Sequence, residues 1–488
     1  MVLTGSKFFV FLICALLLYY VLPKKYSYIS LFLCSIYFLF FNNFTIFNLL
    51  FVALLLGITY GGGIQIDKYQ QSKDKKKTKI YFIGSISLIL LIVGYLKYTN
   101  MFISIINTFL TNKINYINTN PPLGLSYISL IMIGYLIDTY WGITKAQRNP
   151  VKLGLFLTYF PILTSGPFIK YNDTEKGLYN RKKFNLEVFL NGLLRILLGS
   201  FKILIISTRI GLYVDGVYNN LSVYSGFLVI LAILLYVFQL YANFSGTIDI
   251  VIGVSNMFGI ELPENFNKPL YSETITEFWR RWHITLGTWL KNYIFYPVMK
   301  SEFMQKMSKK YKYKHPKAKR IPMYISLLIV WFLIGLWHGG KLTFIIGSGL
   351  LQCLYIVIED LYDSVNSKRD PYFKIFRIIR TYLLFAFAMI FFRATSLSNA
   401  FDIIGNIFKN GSFDIFSTGL SMINGVILAI SLLGLCIFDY YIDEVKSFFR
   451  GTSNVMRLGF ILGLILIILL FGIYGIGFNV TDFIYSKF

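Results

Sequence analysis

The run Ile321-Pro322-Met323-Tyr324-Ile325-Ser326-Leu327-Leu328-Ile329-Val330-Trp331-Phe332-Leu333-Ile334-Gly335-Leu336-Trp337 carries no charge and leads from a basic loop into His338. A helix of this length and apolarity approaches the roughly 20 residues that cross a bilayer. Similar runs recur from one end of the chain to the other. Hydrophobic residues make up 56% of the chain and charged residues 14%, against about 25% charge in a soluble domain. The predicted fold is all-α and polytopic, with about 11 spanning helices plus re-entrant and interfacial pieces. Residues 8–22 have the length of a signal peptide but lack a small-x-small cleavage site, so they are read as an uncleaved first span.

The net charge of +24 arises from 47 Lys and Arg against 23 Asp and Glu. In a soluble protein this excess would point to nucleic acid. Here it sits in short loops: six lysines in residues 68–79 and eight Lys or Arg in residues 306–320. That distribution orients a membrane protein by the positive-inside rule and predicts an N-terminus outside the cell. Both ends of the apolar run 153–168 then face the cytoplasm. The run is too short to cross twice and is interrupted by Pro161, Gly166 and Pro167. A re-entrant segment is expected, and it must be covered by protein. No internal repeat and no polar stretch of domain size is present, so residues 1–488 are read as one integral-membrane domain.

Five of the six tryptophans and all three histidines fall between residues 279 and 338, and two of those histidines, His283 and His338, directly follow a tryptophan. A helix over residues 277–292 would place Trp279, Trp282, His283, Leu286 and Trp289 on one face. Arg280, Arg281 and Lys291 would lie on the others, suited to the phosphates of an acyl donor. An interfacial aromatic belt with snorkelling arginines is the plainer reading, but it leaves His283 unexplained. His338 ends an apolar run between Gly335, Gly339 and Gly340, whose small size admits a substrate or another helix. An intramembrane histidine is a packing residue or a proton-transfer group. His315 stands in a charged loop and is read as solvated. Gln239, Asn243, Ser245 and Asp249, Asp138 near Tyr135, and Arg393 are further polar residues in apolar context; Asn243, Gly246 and Asp249 share a helix face. Cys14, Cys34, Cys353 and Cys436 stand singly, without metal-ligand spacing, and no zinc or other metal site is predicted. Walker, GxSxG and dinucleotide fingerprints are absent. On these residues alone, a proton-coupled transporter stands beside an enzyme.

Several segments in order resemble the membrane-bound O-acyltransferase (MBOAT) family, and within it the membrane subunit of alginate-type polysaccharide O-acetylation. They are Pro122-Leu123-Gly124-Leu125-Ser126-Tyr127 with Tyr135-Leu136-Ile137-Asp138, then Phe160-Pro161 and Ser165-Gly166-Pro167. Asn265-Phe266-Asn267-Lys268-Pro269, Glu277-Phe278-Trp279-Arg280-Arg281-Trp282-His283, Gly335-Leu336-Trp337-His338-Gly339 and Phe391-Phe392-Arg393-Ala394 follow. The resemblance extends from about Leu90 to the C-terminus. It implies that His338 is the principal catalytic histidine and His283 a second one, both facing a tunnel across the protein. A neutral buried imidazole takes the proton of a hydroxyl that attacks a thioester carbonyl.

The terminal Phe483-Ile484-Tyr485-Ser486-Lys487-Phe488 is similar to the aromatic hexapeptide of this branch, whose tyrosine is proposed to receive the acyl group. A phenol of pKa about 10 is a better leaving group than a sugar alcohol, so onward passage is downhill. The resemblance further implies acetyl-CoA or another acyl thioester as donor, with no bound cofactor. It implies a polysaccharide acceptor, an extracytoplasmic serine esterase-like partner, surrounding membrane lipids and a bacterial plasma membrane. A nucleic-acid partner is not expected. Three sites, four residues in all, depart from the family pattern: Asn243 replaces an Asp, Ser486-Lys487 replaces aromatic-glutamine, and Gln352 stands where a further histidine is common. The nearest alternative is D-alanyl transfer to teichoic acid.

Overall fold

A computed structural model describes residues 2–41, 44–312, 318–363 and 371–474. Among them no strand occurs; the one extended pairing is an isolated bridge between Phe266 and Trp282. Eight helices are long and apolar enough to cross a membrane, and four shorter apolar ones accompany them. These stand against the expected 11 or so. The difference lies in helices such as Ile321–Trp337, whose 17 residues rise only about 25 Å.

In chain order the principal helices begin with α1 (Ser6–Val21), α2 (Ser27–Phe40), α3 (Ile46–Gln71), α4 (Lys75–Asn107), α5 (Leu125–Tyr140) and α6 (Pro150–Thr158). There follow α7 (Leu186–Tyr218), α8 (Phe227–Met257), α9 (Ile275–Arg281), α10 (Ile284–Leu290) and α11 (Ile321–Trp337). The last four are α12 (Leu342–Tyr362), α13 (Lys374–Arg393), α14 (Met422–Tyr440) and α15 (Asn454–Phe471). Outward-facing leucines such as Leu91, Leu462 and Leu470 are exposed, as befits helix faces turned to lipid.

Two apolar cores meet along α8. Ile250 and Val254 belong to the first, with Leu136, Phe156 and Phe160. Val237 and Phe244 belong to the second, with Trp282, Phe385 and Phe391. Antiparallel α7 grips α8 through glycines. A Cβ on Gly199 would come within 2.3 Å of the Gly246 carbonyl oxygen, and one on Gly192 within 2.7 Å of that of Gly253. Such closeness is available only to residues without a side chain. The face shared by Gly246 and Asp249 is therefore a helix contact. Asp249 accepts from Lys202 at 2.9 Å and Arg195 at 3.1 Å, both on α7.

The run 153–168 is α6, a 3-10 turn over Phe160–Ile162 and non-helical backbone beyond it. Protein covers it, and side chains satisfy its backbone. The Phe160 N–H donates to Ser35 Oγ at 3.1 Å and the Phe168 N–H to Thr285 Oγ1 at 3.0 Å. Irregular backbone at membrane depth requires such partners. Of the cysteines, Cys34 and Cys353 are buried and Cys14 is exposed.

Candidate active site

The expected helix over residues 277–292 is broken, and the break creates the site. Helix α9 stops at Arg281, Trp282 is extended, and His283 takes the left-handed conformation at φ 51° before α10 begins. The cause is tertiary. Trp282 bridges to Phe266 and its indole packs among Phe278, Phe266 and Phe385 at centroid distances of 5.1 to 5.5 Å. The Asn267 N–H donates to the Arg281 carbonyl at 2.9 Å, and the Ile284 N–H to the Asn265 carbonyl at 3.1 Å. Asn265 Oδ1 accepts from the Thr285 N–H at 2.9 Å and its hydroxyl at 2.8 Å, and lies 3.4 Å from His283 Nδ1. No glycine or proline between 277 and 286 signals this elbow; a buried asparagine on another segment imposes it. The aromatic stripe is dispersed accordingly. The Trp279 indole donates to Gln352 and that of Trp289 to the Leu130 carbonyl, each at 3.0 Å. Gln352, where the family pattern often has histidine, thus holds a wall of the site.

His283 is wrapped by Phe244 at 4.8 Å and Phe168 at 6.0 Å. Its Nε2 has no hydrogen-bond partner among the described residues. His338 lies at the C-terminal end of α11, against Trp337 at 4.9 Å and Phe392 at 5.4 Å. Both imidazoles are buried, and both line one cavity of ≈ 500 Å³. The Trp337 ring neighbours both, 6.3 Å from that of His283 and 4.9 Å from that of His338. Of the neighbouring glycines, Gly335 serves helix approach, since a Cβ there would sit 2.6 Å from Ile345 Cα on α12, whereas Gly339 and Gly340 turn the chain at φ 136° and 72°, with Met101 of α4 packed beside Gly340.

Arg280 and Lys291 line the same cavity and are exposed, so it runs from a cationic rim to a buried imidazole floor. Asp360, also on its wall, is bound by Arg320 and the Tyr324 hydroxyl at 2.7 Å each. Arg281 lies outside the lining; its guanidinium pairs with Glu277 at 2.6 Å. Asp138 accepts from the Tyr293 hydroxyl at 2.8 Å beside a second cavity of ≈ 360 Å³. Arg393 pairs with Asp215 at 2.7 Å. Tyr485 and His315 lie outside the described residues.

Asn265→Ala removes the acceptor of two buried Thr285 donors and is expected to cost about 1–3 kcal/mol. Thermal unfolding in detergent measures it, and an unchanged midpoint would show that the elbow does not depend on Asn265.

Known proteins resemble this chain over much of its length. Residues 147–401 match the model of MBOAT, the membrane-bound O-acyltransferase family. A probable alginate O-acetylase AlgI of Pseudomonas syringae pv. tomato is 30% identical over 92% of this chain and 84% of its own length. The peptidoglycan O-acetyltransferase of Helicobacter pylori is 28% identical over 75% of this chain and 71% of its own. The teichoic acid D-alanyltransferase of Bacillus subtilis is 28% identical over 57% of this chain and 74% of its own.

Proposed function

The chain belongs to the membrane-bound O-acyltransferase family and is an O-acyltransferase, and from that premise we propose that it passes an acetyl group from a cytosolic thioester to a cell-envelope or secreted polysaccharide. The observation that carries this reading is the meeting of two buried histidines on the floor of one cavity whose exposed rim bears Arg280 and Lys291. A thioester arm entering at the rim places its phosphates on cations and its carbonyl near His338. The acceptor hydroxyl loses its proton to the His338 imidazole as its oxygen attacks the carbonyl. The C–O bond forms, the C–S bond breaks, and the proton passes from imidazole to the departing thiolate. His283 lines the same path as a second acceptor of protons or hydrogen bonds.

In this reading the donor is acetyl-CoA or another acyl thioester and the membrane is the bacterial plasma membrane. Tyr485 relays the acyl group, and an extracytoplasmic serine esterase-like partner delivers it to the sugar. Acetyl is preferred to D-alanyl because the alginate O-acetylase likeness spans more of the chain than the D-alanyltransferase likeness.

Mass spectrometry of the purified protein incubated with acetyl-CoA tests it, wild type beside His338→Ala. An acetyl increment on the Tyr485 peptide in wild type alone supports the reading. An alanyl increment, formed only with a D-alanyl carrier thioester, moves it to teichoic acid. No transfer from either donor sinks it. Replacing Arg280 and Lys291 by alanine is expected to raise the donor KM about tenfold for each cation removed, with kcat little changed. An unchanged KM would remove them from donor binding.

A further inference from the structure

Lys97 stands in the apolar stretch of α4, next to buried Leu96. A lysine inside a spanning helix is costly and needs a reason. Among the described residues its ammonium contacts no carboxylate. It donates to Ser126 Oγ at 2.8 Å and to the carbonyl of Trp337, and lies 5.6 Å from the centre of the Trp337 ring. Trp337 is the residue bonded to His338.

The neighbours of Lys97 converge on the same point. The Tyr98 hydroxyl donates to the Leu336 carbonyl at 3.1 Å. The Trp337 indole N–H donates to the Ser126 carbonyl at 3.4 Å. Met101 fills the space beside Gly340. Helix α4 thus holds Leu336, Trp337 and Gly340, on both sides of His338. A cation at a helix C-terminus also complements the unpaired carbonyls and the negative end of the dipole. Tyr98 shows that a neutral donor suffices to satisfy one such carbonyl. What lysine adds is a charge with more than one donor, and it spends two of these on the pair that fixes the Trp337 backbone and Ser126.

We propose that Lys97 is a positioning residue of the acyl-transfer site: it locks the end of α11 and so holds the His338 imidazole aimed into the cavity. This rests on the acyl-transfer reading for its kinetic consequence, but not for its structural one.

The chain has three histidines, so a histidine-selective 15N spectrum of the full-length protein in detergent is resolved, with signals assigned through His283→Gln and His338→Gln. In Lys97→Met the His338 resonance is expected to move while that of His283 stays. The kcat falls on the order of 10²-fold, the loss that about 1 Å of misplacement brings, and the donor KM is unchanged. Lys97→Arg, which keeps charge and reach, recovers most of the rate. Ser126→Ala, which keeps the lysine but removes its anchor, gives a smaller loss in kcat. The proposal is overturned by an unmoved His338 signal with wild-type kcat in Lys97→Met. It is equally overturned if both histidine signals shift together with a lowered unfolding midpoint, since the lysine would then support the fold at large. If wild-type protein transfers no acyl group, the enzymatic reading fails, and the His338 resonance alone still decides the role of Lys97.

Discussion

His338→Ala is expected to lose acyl transfer by a factor of about 10²–10⁴, the contribution of a positioned general base, in a protein that still folds. The imidazole is buried against Trp337 and Phe392 and sits on the wall of an existing cavity. Its removal therefore enlarges a space already present and does not open a new void in packed core. His338→Gln sharpens the test. The amide keeps much of the volume and a hydrogen-bonding group but accepts no proton at neutral pH. Equal losses in both variants assign the effect to proton transfer; rescue by Gln would assign it to packing. Envelope acylation measured in cells, with protein amount and unfolding midpoint checked alongside, decides the matter. Full activity in His338→Ala would remove the catalytic assignment altogether. His283→Ala is the natural comparison, because His283 lines the same cavity and also neighbours the Trp337 ring.

The largest effect on stability is expected from Asp249→Ala. This carboxylate holds both Lys202 and Arg195 across the α7–α8 seam, and the side chains of Lys202 and Asp249 are 9% and 18% exposed. Removing one partner of a buried ionic cluster leaves uncompensated charge and costs about 3–5 kcal/mol. Arg195 retains a two-pronged pairing with Glu264 at 2.9 and 2.5 Å, so Lys202 bears most of the loss. The double replacement Asp249→Ala with Lys202→Met removes the stranded charge and should recover much of the stability. Thermal unfolding of the four proteins of that cycle measures the coupling. A single variant as stable as wild type would mean that water reaches the cluster freely.

The membrane class was legible because hydropathy depends on composition over long windows, and no tertiary contact reverses it. The two histidines were legible because imidazoles are rare in this chain and stand beside tryptophan and glycine. The elbow at His283 was not. Residues 277–286 contain no breaker, and the periodicity of Trp279, Trp282 and Leu286 favours continuous helix. The competing force is Asn265 with Phe266, whose contacts with Trp282 and Thr285 cannot be inferred from spacing. Lys97 left a signal of its own, a lone lysine in an apolar run, yet its target on another helix is set by packing. For Asn243, Gly246 and Asp249 the shared face was readable, whereas its use as a seam against Gly199, Arg195 and Lys202 was not.

The glycine seam also governs which changes in chain length this protein tolerates. Gly192 and Gly199 meet Gly253 and Gly246 in opposite order, two turns of helix apart on each strand of the seam. One inserted residue between Gly192 and Gly199 would rotate everything beyond it by about 100° about the helix axis. A side chain would then be driven into the facing carbonyl, and Lys202 would swing away from Asp249. Insertions and deletions should therefore accumulate in the loops that flank this helix pair and be purged between the glycines. An inserted tag or a fluorescent fusion belongs on the same side of that boundary.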